Sequence, residues 1–148
     1  MAGRAPPTSP QRDIRRWIYG GLDVVFAIVY VVTIWKAIPN RLLSAQIHLW
    51  ILPISTAVMA GGTLAGGRRG WQIALGGGSL LVLATIALIV RMLASAAFLA
   101  GTYGAFGGAA AASALVGVAL VVELVGLLPI VQVKYLMSRA GRRAYGVG

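Results

Sequence analysis

Apolar runs of membrane-spanning length recur along nearly the whole of this 148-residue chain, and nothing else in the sequence restricts its fold so strongly. A soluble protein of this length has enough polar residues to cover one core. Here 59% of residues are hydrophobic and only 11% are charged, so the surface of a water-soluble fold would be largely apolar. The expected solvent for most of the chain is lipid, and the expected fold is all-α: a polytopic membrane protein with four transmembrane helices in an up-down bundle.

The chain divides accordingly. Residues 1–16 hold three prolines, four arginines and almost nothing apolar, which reads as a basic cytoplasmic tail. Spans are expected at about 17–38, 44–66, 71–100 and 109–137, with residues 138–148 as a second basic tail. The first run carries Asp23 and ends in Lys36-Ala37-Ile38-Pro39-Asn40 without a small-x-small cleavage pattern, so it is read as a retained anchor and not as a secretory signal. Pro53 lies inside the second span, where a kink is expected. Gly67-Arg68-Arg69-Gly70 reads as a compact basic loop, and the glycine-rich stretch 101–108 as the turn of a hairpin formed by the last two spans. Those two spans exceed the twenty or so residues that a bilayer requires, so their small-residue outer ends are expected to project beyond it.

Orientation follows from the cations, because short basic loops resist translocation. Arg4, Arg12, Arg15, Arg16, Arg68, Arg69, Lys134, Arg139, Arg142 and Arg143 lie on one side, against Lys36 and Arg41 on the other. Both termini are therefore expected in the cytoplasm, in a bacterial inner membrane. Trp17, Tyr19, Trp71 and Tyr135 at the inner boundary, and Trp35, Trp50 and Tyr103 at the outer one, agree with that orientation. The net charge of +10 is accounted for by these flanks, and no basic stripe with interleaved aromatics suggests nucleic acid.

The candidate site residues are the ionisable groups at or within spans: Asp23, His48, Arg91, Glu123 and Lys134. A charge buried in hydrocarbon costs at least a few kcal/mol, so such groups are expected to be paired, cavity-facing or functional. Asp23 and Lys134 lie at similar depth, and an ion pair between them would lock the first span to the fourth. Glu123 falls near the midplane, where a carboxylate is kept neutral or paired; Arg91 is the candidate partner, about 7 to 10 Å away along the axis. His48, close to Trp50 at a boundary, reads first as a satisfied polar group.

No cysteine is present, and a single histidine cannot supply a bis-histidine haem or a multi-histidine metal site, so no cofactor or metal is expected. Gly76-Gly77-Gly78-Ser79 resembles a phosphate loop only superficially, because no strand precedes it and no lysine follows. A close helix contact is its expected role. Small residues four apart (Ala96, Ala100, Gly104 and Gly108; Ala109, Ser113 and Gly117; Gly62 and Gly66) likewise suggest tight packing within the bundle or between copies.

The sequence thus reads as a non-enzymatic structural, assembly or accessory component of a membrane complex. The lipid bilayer and a second copy or another membrane protein are its expected partners. The alternative is a small proton-coupled or ion transporter using Glu123, Arg91 and Asp23.

Overall fold

The computed structural model describes residues 14–37 and 43–147; the tail through residue 13 and the Pro39-Asn40-Arg41 turn lie outside them. The described residues form helices and short turns, with no strand among them. In chain order they are α1 (Ile14–Ala37), α2 (Leu43–Ala65), α3 (Gly67–Val121), a π-helical turn (Val122–Gly126), α4 (Leu127–Met137) and α5 (Arg139–Ala144).

Among the described residues, two segments are long and apolar enough to cross a membrane: Ile14–Lys36 and Gly67–Gly104. Leu49–Ala65, Phe106–Leu120 and Leu127–Met137 are apolar but shorter. The stretch expected as one fourth span is divided, because the backbone widens into the π turn around Glu123 before resuming as α4.

The expected basic loop at 67–70 is instead the first turn of α3. Reversal is accomplished by Gly66 and Gly67, both in the left-handed region, and Arg68 and Arg69 are exposed on the helix that follows. The outer turn is also tighter than the glycine-rich stretch 101–108 suggests. Within α3 only Gly104 leaves helical geometry (φ 56°, ψ −128°), a conformation that a side chain would oppose. The neighbouring alanines sustain the helix on either side, so one residue suffices to fold α3 into two antiparallel arms.

Successive helices pack antiparallel through close backbone contacts. Gly62 on α2 lies against Gly70 and Ala74 on α3, where an added Cβ would meet the Gly70 carbonyl oxygen at 2.7 Å. Gly77 faces Ser55 and Met59, with the Met59 nitrogen 2.7 Å from such a Cβ. Gly78 lies against Val133 and Met59. The triple glycine is therefore the point where α3 meets both neighbours. Two buried clusters follow from this packing: Met59, Ala74, Leu136 and Tyr145 toward the end where α2 turns into α3, and Leu52, Leu81 and Ala84 farther along. Pro53 is accommodated inside α2, which continues through it. The Ser55 and Thr56 hydroxyls donate to the carbonyls of Ile51 and Leu52.

The C-terminal segment, read from the sequence as a basic tail, forms a helix and docks. The Ser138 hydroxyl accepts from the Gly141 N–H at 3.0 Å and donates to the Tyr135 carbonyl at 2.7 Å, capping α5 as the chain turns. Tyr145 is consequently buried, its hydroxyl reaching the Thr63 carbonyl at 3.5 Å. The arginines of α5 remain exposed.

Candidate functional site

Helix α1 packs along α2, and what ties it to α4 is polar. The Tyr19 and Tyr135 rings meet with centroids 5.6 Å apart, and the Gln132 side-chain amide reaches the Tyr19 carbonyl at 3.5 Å. One helical turn farther along α1, the carboxylate of Asp23 lies within hydrogen-bonding reach of the Gln132 side chain. Asp23 is 2% exposed and Gln132 1% exposed, so this contact is among the most enclosed in the molecule. Asp23 Oδ2 and Gln132 Oε1 are both buried without a hydrogen-bond partner. Tyr30, two turns along α1 from Asp23, lies within its electrostatic reach.

The structure does not bring Asp23 and Lys134 together. Lys134 is exposed and borders an apolar groove with Val82, Ile130 and Met137, whereas Gln132 faces inward. The equal depth inferred from residue counting does hold for this region of α4, but two residues at 100° each turn Lys134 to the other side of the helix. The sequence signal for Gln132 is its spacing: it is the polar residue on the α4 face shared with Pro129 and Leu136, all three of them buried.

Arg91 and Glu123 are also left apart. Both are exposed, and neither has an ion-pair partner among the described residues. An added Cβ on Gly117 would touch Met92, which fixes the register of the two arms of α3. Extending that register along the helices places Glu123 about 8 Å from the level of Arg91. Glu123 belongs to the π turn, whose wider ring rotates the following residues relative to a continuous α-helix. His48 lies on α2, and its side chain is outside the described residues.

Arg91 also marks where the bundle narrows. Because Gly77 faces Ser55 and Met59, the start of α2 at Leu43 falls near the level of Arg91, and α3 continues to Gly104 for about 20 Å more. This overhanging hairpin holds no charged residue between Arg91 and Glu123. Phe98, Tyr103 and Phe106 are exposed on it, Phe106 to 90%. Its arms approach at Gly107, which lies against the backbone of Leu99 and Ala100.

Three further buried hydroxyls spend their protons locally: those of Ser55, Thr56 and Thr85 donate to carbonyls four residues back in their own helices. Such bonds satisfy the hydroxyls and leave them no donor to offer a passing solute. Compared with protein-family models, curated proteins and solved structures, the chain matches none.

Proposed function

We propose that the protein spans a bacterial cytoplasmic membrane four times with both termini inside, and acts without catalysis as an assembly or accessory component of a membrane complex. The single observation that carries the assembly role is the overhanging, charge-free hairpin with its exposed Phe98, Tyr103 and Phe106. An apolar tip of that kind in water is a liability unless another molecule covers it. A second copy or another membrane protein is the proposed partner. Support for four spans comes from the antiparallel order of the helices and from the gathering of Tyr19, Trp71 and Tyr135 at the end where the cations cluster.

A photo-crosslinking residue placed at Phe106 in native membranes tests the assembly role. Adducts to a second copy or to a membrane protein are expected, and they should disappear when the crosslinker is moved to lipid-facing Val29 on α1. Adducts to lipid alone from position 106 would remove this reading.

The alternative, a proton-coupled or ion transporter using Glu123, Arg91 and Asp23, draws support from the π turn at Glu123, because such turns are frequent at functional sites. It requires pH-dependent flux in reconstituted vesicles that Glu123→Gln abolishes while insertion is preserved. Equal flux in both proteins would remove it.

A further inference from the structure

The contact between Asp23 and Gln132 is chemically incomplete in a specific way. An amide and a carboxyl group side by side are able to form two hydrogen bonds in a ring: the amide N–H donates to one carboxyl oxygen, and the second carboxyl oxygen, if it bears hydrogen, donates to the amide oxygen. The Gln132 amide, at the Tyr19 carbonyl one turn from Asp23, lies within reach of the first of these bonds. The two atoms of the second, Asp23 Oδ2 and Gln132 Oε1, are, among the described residues, the buried side-chain oxygens left without a partner. Both are acceptors when the carboxyl is ionised, so nothing within the pair joins them. One proton on the carboxyl turns two acceptors into a donor and an acceptor.

Among the described residues, no cation stands beside the carboxylate instead. On α2 the one titratable residue is His48, about 20 Å along the axis from the level of Asp23, as judged from the contact of Gly20 with Leu64. On α3, no charged residue lies between Arg69, in the first turn, and Arg91, near the level where α2 begins. On α4, Lys134 is exposed on the far side of the helix from Gln132. On α1, Arg15 and Arg16 lie about 10 Å toward the helix start, with Arg16 against Gly66 and the Trp17 ring. Tyr19, Tyr30 and Tyr135 are the other titratable neighbours, and none is a cation. An unpaired buried charge is costly, and neutralisation relieves the cost.

We propose that Asp23 and Gln132 form a proton-binding site, in which a single proton on Asp23 Oδ2 closes a cyclic acid–amide pair and joins α1 to α4 through two hydrogen bonds. The proton is the ligand of the site, taken up as the helices come together.

Isotope-edited infrared spectroscopy of the full chain in nanodiscs tests this directly. The sequence contains only Asp13 and Asp23, so 13C-carboxyl aspartate in an Asp13→Asn background reports Asp23 alone. At neutral pH the expected signal is a carboxylic-acid carbonyl band, absent from Asp23→Asn and shifted to higher frequency in Gln132→Leu, where its hydrogen-bond partner is gone. A signal of carboxylate bands only would overturn the proposal and leave the two oxygens to water or a metal cation. Should Gln132→Leu fail to fold, the protein bearing Gln132 still decides the matter. Asp23→Asn gives a second arm: an asparagine forms the same ring with Gln132, so it should unfold at the temperature of the parent protein while Asp23→Leu unfolds lower. Loss of stability in Asp23→Asn equal to that in Asp23→Leu would count against the ring.

Discussion

Gln132 on α4 lies within hydrogen-bonding reach of the carboxylate of Asp23 on α1, and each of the two residues keeps an oxygen buried without a hydrogen-bond partner. With the Tyr19–Tyr135 ring contact, this pair joins α1 to α4 at a place where the rest of their packing is thin. Its removal is therefore informative. Gln132→Leu leaves the Asp23 carboxyl enclosed without its donor, at a cost of about 1–3 kcal/mol. Adding Asp23→Leu removes the stranded group, so the double variant is expected to be more stable than the sum of the two single changes implies. Thermal unfolding in one detergent, compared across the four proteins, gives the coupling.

Gly62 and Gly77 allow α2 and α3 to approach at backbone distance. Gly62→Ala forces a methyl group into the Gly70 carbonyl and the Ala74 backbone, and about 1–3 kcal/mol of stability is expected to be lost to overpacking. Gly61→Ala is the matched control. It has open space around it and should be neutral or gain up to about 1 kcal/mol from the better helix former.

At the hairpin tip the same comparison isolates backbone strain. Gly104 has φ 56° while Gly101 is helical, and neither has neighbours crowding its Cβ position. Gly104→Ala is expected to cost about 1–3 kcal/mol and Gly101→Ala to be neutral or stabilising. Equal effects in chemical unfolding would mean that the turn is not made at Gly104.

The docked C-terminus predicts a protease phenotype. Tyr145 is buried against Met59, Ala74 and Leu136, and Tyr145→Ala should release α5. Trypsin cleavage at Arg139, Arg142 and Arg143 is then expected to accelerate strongly while the rest of the chain stays protected. Unchanged cleavage would place the segment outside the packed structure.

Much of the helical architecture is legible in the sequence because long apolar runs and glycine turns are local signals. The helix boundaries of α1 and α2 fall within a few residues of those expected, and the triple glycine does mark a close contact. What escapes is rotational. Residue counting gives the depth of a side chain but not the direction it faces, so Lys134 is a natural partner for Asp23 on paper while Gln132, two residues earlier, faces it in the fold. The π turn is a second such case. Nothing local distinguishes Val122–Gly126 from the apolar helix around it, yet its altered winding changes where Glu123 points. Tyr145 escaped for a different reason, since a basic, glycine-containing terminus has the composition of a solvated tail and gains its order only from the cavity it fills.

Membrane orientation remains the most direct test of the whole account. The chain has no cysteine, so single cysteines at Asn40, Thr102, Gln72 and Ala140 can each be probed with a membrane-impermeant thiol reagent in intact cells and in inverted membranes. Labelling of Asn40→Cys and Thr102→Cys from outside, with Gln72→Cys and Ala140→Cys reacting only in inverted membranes, is the result predicted for four spans with both termini inside. Labelling of Asn40→Cys and Ala140→Cys from the same side, or of all four in a soluble fraction, would contradict it.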